Sequence, residues 1–198
     1  MKIDLTEIYK GLAEWRAERG ITAESQKEGY IVNVMEELGE LATALREYER
    51  FSKPSYPYPK NKKYTEHGII DALCDISVFT INAGADIPDS KKGTAINTRK
   101  TSFNIENLCN LINDCAKFAS DHYYKDGIYY NSILVDCAKL CQYYGFNFKI
   151  AMDETIKEIS SRTGSYDENA KKWVKDESDE ARAKWHKADY EKARLKNE

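Results

Sequence analysis

Acidic side chains recur inside a segment that otherwise has the pattern of a helix. The stretch VMEELGELATALRE, residues 34–47, contains Glu36, Glu37 and Glu40 among apolar residues that recur every three or four positions. On a helix with about 100° between residues, Glu37 and Glu40 lie on one flank of the apolar stripe. Like charges at this spacing repel each other, so the motif alone is typical of a solvated acidic face.

A second segment changes that interpretation. IIDALCDISVFTINA, residues 69–83, is apolar around most of its circumference, which predicts a buried helix. Asp71, Asp75 and Asn82 form one polar line along it. Buried carboxylates are very costly unless they are paired or bound to a metal ion. No Lys or Arg occurs at positions 65–88, so any neutralising base must come from elsewhere in the chain.

The two acidic segments together suggest a cation site. If their helices pack side by side, Glu37, Glu40, Asp71 and Asp75 converge. Oxygen donors without histidine suit Mg²⁺, with Mn²⁺ as a possible substitute. A di-iron site would show a Glu-x-x-His pair, and none of the three histidines has that spacing. Neutralisation of the aspartates by distant basic residues remains the alternative.

The elements that position these residues are predicted to be helices. Periodicity predicts helices at 5–19, 28–51, 65–85, 104–124, 129–144 and 148–160. The intervening SKPSYPYPKNKKY, with three prolines and four lysines, is predicted to be a loop. No alternating pattern of useful length predicts a strand. We therefore expect an all-α fold, a bundle of about five to seven helices.

Length and composition predict the domain organisation. For a chain of 198 residues we expect one domain over 1–165, with a polar loop at 86–102 and an additional helical hairpin at 103–147. Residues 166–198 form a charged tail that is either a solvated helix or partly disordered. The five cysteines have no CxxC pair and apolar neighbours, so we expect buried free thiols.

Charge and hydropathy exclude some classes of function. The 30 Lys and Arg residues nearly balance 33 Asp and Glu residues, whereas non-specific nucleic-acid binders are usually basic. The longest apolar run is too short to span a membrane, and MKIDLTEIYK is unlike a signal peptide. We expect a cytoplasmic protein without nucleic-acid or membrane partners.

These segments resemble a known family. EELGE, followed by the aspartate-bearing helix IIDALCDISVF and by IKEISSRTGSYDENAKKWVKD, is similar to the MazG-like, all-α nucleoside triphosphate pyrophosphohydrolases. QKEGYIVNVMEELGEL is similar to phage-type members in particular. The resemblance covers most of the chain and is least distinctive at 86–147. It implies Mg²⁺-dependent attack of water on the α-phosphorus of a nucleoside triphosphate, with a deoxynucleotide expected, to give the monophosphate and pyrophosphate.

The resemblance also implies metal ligands. In the family, an EExxE motif and an ExxD motif hold Mg²⁺. Glu36, Glu37 and Glu40 match EExxE, and Asp75 matches the aspartate of ExxD. We therefore expect Glu37, Glu40 and Asp75 to be ligands. Glu36 is expected to be a further ligand or the base that orients the water.

The chain departs from the family pattern at one position. Ala72 stands where the family has the glutamate of ExxD. Asp71, one position earlier and four before Asp75, is the expected substitute because residues four apart share a helix face. The departure also supports a rival hypothesis, a non-catalytic helical interaction protein with a degraded metal site.

The same resemblance implies residues that hold the substrate. Lys157, Arg162, Lys171 and Lys175 belong to the basic stretch that is expected to face the phosphates, although a solvated charge run is the alternative. Asn33 and Asn82 lie on the same lines as the carboxylates.

Trp15 can stack on a base or simply pack in the core. Related proteins are usually dimers or tetramers, so we expect a homodimer or homotetramer.

Overall fold

A computed structural model describes residues 2–53, 60–98, 105–120, 127–167 and 172–196. Most of the described residues belong to seven α-helices, and the predicted all-α fold is confirmed. The helices are α1 (Thr6–Glu18), α2 (Ala23–Phe51), α3 (Lys60–Ala83), α4 (Ile105–Phe118), α5 (Ile128–Tyr143), α6 (Phe148–Ser161) and α7 (Asp179–Arg182).

The long helices α2 and α3 pack as an antiparallel pair. The Tyr30 hydroxyl oxygen lies 3.1 Å from Thr80 Oγ1. Gly68 packs against Ala44, since a Cβ at Gly68 would lie 3.5 Å from the Ala44 methyl group. Residue numbers along α3 therefore decrease in the direction in which those along α2 increase. Interpolation between these two contacts places Glu37 opposite residues 73–75, so the middle of the acidic helix faces the middle of the aspartate helix.

Helix α3 is the centre of the core. It contacts α1, α2, α5 and α6. Its apolar residues are buried on several sides, as predicted. Those with no exposed surface are Ile69, Ile70, Leu73, Cys74, Ile76 and Ala83. Burial of so much apolar surface stabilises the fold. It also fixes the position of the polar residues of α3, Asp71, Asp75 and Asn82, relative to the core.

Several predicted helix boundaries are wrong. Helix α2 begins at Ala23 rather than at 28, because Thr22 caps it by accepting a hydrogen bond from the Ser25 amide at 3.2 Å. Helix α3 begins at Lys60, so the lysine-rich end of the predicted loop is helical. Helix α4 ends at Phe118 rather than at 124. Positions 54–59 and 121–126 of the predicted loop and hairpin lie outside the described residues.

Two short strand pairs were not predicted. Strand β1 (Lys2–Asp4) pairs antiparallel with β2 (Ala95–Asn97), which falls in the predicted polar loop. Ile3 lies opposite Ile96, and both are buried. Strands β3 (Gly164–Asp167) and β4 (Lys172–Lys175) form an antiparallel hairpin. Three or four residues per strand are too few for an alternating pattern to be recognised.

The C-terminal segment is neither a solvated helix nor a free tail. After β4 it contains only the four-residue α7 and a 3₁₀ turn at Tyr190–Ala193. Tyr190 and Ala193 are buried against the core, and the turn packs on α6. The packing of this charged segment was not predicted, because two buried residues in such a polar segment leave almost no periodic signal.

All five cysteines are free, and the prediction that they are buried holds for all but Cys109, which is exposed. In the part of the chain that the structure describes, no helix is long and apolar enough to cross a membrane.

Candidate functional site

The α2–α3 pair brings the predicted carboxylates close enough to interact. Burial raises the pKa of Glu37 to about 7, and the charges of Glu40, Asp71 and Glu36 add to that rise. Burial also raises the pKa of Asp75 well above its ordinary value, helped by the charges of Asp71 and Glu37. The neighbouring carboxylates therefore disfavour ionisation of Glu37 and of Asp75.

Basic residues do not neutralise this cluster. Arg162 is near enough to oppose the rise in the pKa of Glu37 and Asp75. Its Nη2 is already used, because it donates to Glu158 Oε1 at 2.6 Å. Among the described residues, no Lys or Arg forms an ion pair with Glu37, Asp71 or Asp75. The sequence-based alternative, neutralisation by distant basic residues, is met in part, by the charge of Arg162 and, at Asp71, by that of Lys187 as well.

The donor chemistry of the cluster fits a hard divalent cation. All the candidate ligands are carboxylate oxygens, and Arg162 compensates their mutual repulsion only in part. Among the described residues, no group of three or more His, Cys, Asp or Glu side chains has an arrangement that could hold a metal ion. Ala72 is buried in the core, whereas Asp71 lines an open groove, so Asp71 is the residue of the two that can reach a cation.

Two cavities flank the carboxylates. The first, which we call the acidic groove, lies between α2 and α3 and has a volume of about 420 Å³. Glu36, Glu40 and Asp71 line it. The second, which we call the aromatic cleft, receives Glu37 and Asp75. Glu36 also lines the cleft and is therefore shared by the two cavities.

The aromatic cleft lies between α1, α2, α3 and the β3–β4 hairpin. Its outer part has a volume of about 590 Å³ and its inner part about 190 Å³. Trp15, Phe79 and Trp173 line both parts. Aromatic faces with a carboxylate cluster at one wall make a cavity that can hold a planar ring and a charged group together.

Basic residues also line the cleft. Lys175 lines both of its parts, and Arg162 lines the inner part. Arg162 Nε is buried and has no hydrogen-bond partner within the described part of the chain. An unpaired guanidinium N–H beside a cavity is a donor suited to an anionic oxygen.

One of the predicted phosphate-binding lysines lies away from the cleft. Lys157 does not line the cleft; its Nζ donates to Glu154 Oε1 at 2.7 Å. That ion pair forms because residues three apart share a face of α6. Lys171 lies outside the described residues.

Both predicted asparagines line the cleft. Asn33 lies in the outer part and Asn82 in the inner part. Asn82 Oδ1 accepts a hydrogen bond from Arg16 Nη1 at 2.6 Å. Its Nδ2 is buried without a hydrogen-bond partner in the described part of the chain.

Trp15 packs against the core and also lines the cleft. Its Nε1 donates to the Ile159 carbonyl at 3.2 Å, which fixes the ring against α6, and its ring lines the cleft. Core packing and presentation to a ligand are therefore not exclusive at this position.

Arg19 is a site residue that the sequence analysis missed. Its guanidinium lies 5.1 Å from the ring centroids of both Trp15 and Trp173. Its Nη2 donates to the carbonyls of Ser160 and Arg162, both at 3.1 Å. Arg19 thus ties α1, the end of α6 and the hairpin together. The spacing of Trp15 and Arg19, four apart on one helix, was the one signal that the sequence offered.

Tyr190 is a second missed residue. Its hydroxyl donates to Asp71 Oδ1 at 2.6 Å and lies 3.0 Å from Thr155 Oγ1. Burial raises the pKa of Asp71, and this hydrogen bond opposes the rise.

Comparison with known proteins finds no relative of this chain. No family model matches the chain, and searches of curated proteins and of solved structures also find no match. The interpretation of the site therefore depends on its own residues.

Proposed function

We propose that this protein hydrolyses a nucleoside triphosphate, with a deoxynucleotide expected, to the monophosphate and pyrophosphate in a Mg²⁺-dependent reaction. The observation that carries the proposal is the pair of mutually repelling carboxylates, Glu37 and Asp75, at the wall of a cleft that tryptophans and basic residues also line. Either feature alone has an ordinary structural explanation. Together they suit a ligand that is planar at one end and polyanionic at the other.

In the proposed reaction, the carboxylates bind the cation and the other residues of the cleft bind the rest of the substrate. Glu37, Glu40, Asp71 and Asp75 would hold the cation. When bound, Mg²⁺ supplies charge neutralisation of the triphosphate and a lowered pKa of the attacking water. Glu36, which borders both cavities, would be a further ligand or would orient the water as a base.

The basic and aromatic residues would hold the rest of the substrate. Arg162 and Lys175 would contact phosphate oxygens, the first through a forked guanidinium and the second as a point charge. Trp15, Phe79 and Trp173 would enclose the base. Positioning and charge stabilisation account for most of the catalysis expected of such a site.

We also propose that the protein is a homo-oligomer. Helix α2 exposes Ile31, Val32 and Met35 on one side, and Val32 is 68% exposed while Met35 is 64% exposed. Contiguous exposed apolar residues are typical of protein interfaces. Because the same helix carries Glu36 and Glu40, a second copy bound there would lie next to the acidic groove.

The experiment that tests the activity is a substrate panel. Purified protein is incubated with Mg²⁺ and each common NTP and dNTP, and pyrophosphate, orthophosphate and monophosphate are assayed separately. Monophosphate with pyrophosphate is expected. Orthophosphate with diphosphate would identify a different hydrolase. No product with Mg²⁺ or Mn²⁺ would favour the rival hypothesis, a non-catalytic helical interaction protein.

Matched variants locate the activity. Asp75→Asn should abolish turnover because it removes a cation ligand without changing shape. Glu49→Gln is the control, since Glu49 is an exposed carboxylate on α2 outside both cavities. Equal activity in the two variants would show that the cluster is not the active site.

A further inference from the structure

We propose that Asn82 donates a hydrogen bond to a carbonyl oxygen of the substrate base, so that the cleft selects keto bases over amino bases. The inference rests on the proposed function and narrows its substrate class. It begins with one atom, Asn82 Nδ2. The residue is 1% exposed, and this nitrogen has no hydrogen-bond partner among the described residues. A buried N–H without an acceptor is costly, and the side chain that carries it lines the inner part of the aromatic cleft.

The chemistry of Arg16 decides which end of the amide faces the cleft. A guanidinium has only donors, so it must bind the oxygen of the asparagine and not the nitrogen. Arg16 Nη1 donates to Asn82 Oδ1 at 2.6 Å. The amide therefore cannot turn over without placing its N–H₂ group against the arginine. Asn82 presents a donor to the ligand and no acceptor.

The position of Asn82 along α3 indicates which part of the ligand it meets. Asn82 lies seven residues beyond Asp75, about 10 Å along the helix axis, with Phe79 between them on the same face. With the triphosphate at the carboxylates, the base lies between Trp15 and Phe79. Asn82 then meets the edge of the base that is remote from the sugar.

The four bases differ at that edge. Uracil and thymine present O4, and guanine presents O6, all of which accept hydrogen bonds. Cytosine and adenine present amino groups, which donate. The Asn82 amide N–H can donate to the carbonyl oxygen of uracil, thymine or guanine. Opposite cytosine or adenine it would face another donor, and no hydrogen bond would form. The substrate class is therefore a nucleoside triphosphate with a keto base.

Calorimetry with non-hydrolysable nucleotides tests the inference. The probes are the α,β-imido analogues of dUTP, dTTP, dGTP, dCTP and dATP, titrated into the full-length protein with Mg²⁺. We expect the dUTP analogue to bind at least tenfold more tightly than the dCTP analogue, from which it differs at one ring edge. We expect the dATP analogue to bind no better than the dCTP analogue.

A variant that replaces the hydrogen-bond donor by an acceptor sharpens the test. Asn82→Asp keeps the size of the side chain and its bond to Arg16 but presents an acceptor to the cleft. We expect its preference to invert, so that the dCTP analogue binds more tightly than the dUTP analogue. Asn113→Asp, on the exposed side of α4, makes the same chemical change away from the cleft and should keep the wild-type order.

The outcomes separate this inference from the proposed function. Equal binding of all analogues, or tighter binding of amino bases by the wild type, overturns the role of Asn82 and leaves the hydrolase proposal standing. Absence of binding by every analogue overturns both. The comparison among analogues uses the wild-type protein, so it decides the question even where the Asn82→Asp protein does not fold.

Discussion

The Tyr190 hydroxyl donates a hydrogen bond to Asp71 Oδ1 at 2.6 Å, across 119 positions of the chain. The contact joins the C-terminal segment to the central helix α3. Thr155 of α6 lies 3.0 Å from the same hydroxyl. The C-terminal segment therefore helps to orient a candidate cation ligand.

Tyr190→Phe should destabilise the protein by roughly 1–3 kcal/mol, because it leaves the half-buried Asp71 oxygen and the buried Thr155 hydroxyl without this partner. Urea denaturation followed by circular dichroism measures the change. Tyr64→Phe, at a tyrosine that is 76% exposed, is the matched control and should change stability little. Equal stability of the wild type and Tyr190→Phe would show that this hydrogen bond does not contribute to the fold.

Divalent cations should raise the melting temperature. Binding to the folded state alone stabilises it by about 2.7 kcal/mol at a cation concentration of 100 times Kd. Differential scanning fluorimetry with Mg²⁺ and Mn²⁺ measures the shift. Glu40→Gln should reduce the shift while leaving the cation-free protein equally or more stable, since a repulsive carboxylate is removed. A cation-independent melting temperature at every concentration would contradict a cation site.

Stability should fall in acid because of Glu154. Burial alone would raise the pKa of this carboxyl, but hydrogen bonds from Lys157, the Asp189 amide, His186 and Lys192 lower it from 4.5 to about 2. The unfolded chain therefore takes up the proton at higher pH than the folded chain does. The stabilisation is present above about pH 4.5 and is lost as the pH falls towards 2.

The acid effect can be isolated with Glu154→Gln. Between about pH 6 and 2, the free energy of unfolding should fall by roughly 2–3 kcal/mol more in the wild type than in this variant. Denaturation curves at several pH values measure the difference, and Glu49→Gln is the control. Parallel pH profiles for wild type and Glu154→Gln would mean that this carboxyl titrates normally.

Arg19 should be required for the arrangement of the cleft. Arg19→Met removes the donor to the carbonyls of Ser160 and Arg162 and the cation between Trp15 and Trp173. We expect a loss of at least about 2 kcal/mol of stability, because hydrogen bonds from charged groups are the stronger ones. Urea denaturation and tryptophan fluorescence measure stability and ring environment. Arg46→Met, on the exposed side of α2, should change neither.

The exposed apolar residues of α2, Ile31, Val32 and Met35, should form the interface between copies of the chain. Val32→Glu places a charge on it and should convert a dimer or tetramer to the 22.8 kDa monomer. Size-exclusion chromatography with light scattering measures the mass. A monomeric wild type would refute the oligomer, and an unchanged mass in Val32→Glu would place the interface elsewhere.

Periodicity was sufficient to predict the helices and the acidic line of the candidate site. The sequence separations within EELGE and between Asp71 and Asp75 decide which carboxylates share a helix face, whatever the tertiary structure. The buried character of α3 followed from its apolar circumference. These features are local, since they depend on the geometry of a single helix.

The remaining site residues depend on contacts between distant segments. Neither the strand pairing of Ile3 with Ile96 nor the packing of Tyr190 leaves a periodic signal. Lys157 and Arg162 looked equivalent in sequence, yet one pairs with Glu154 and the other lines the cleft.

The sequence alone therefore determined the fold class and which polar residues lie together on each helix, because helix geometry converts spacing into direction. Only the tertiary structure decided that Glu37 faces Asp75 and that Arg16 orients Asn82. Such contacts depend on how helices pack, and packing is set by the whole core rather than by any single segment.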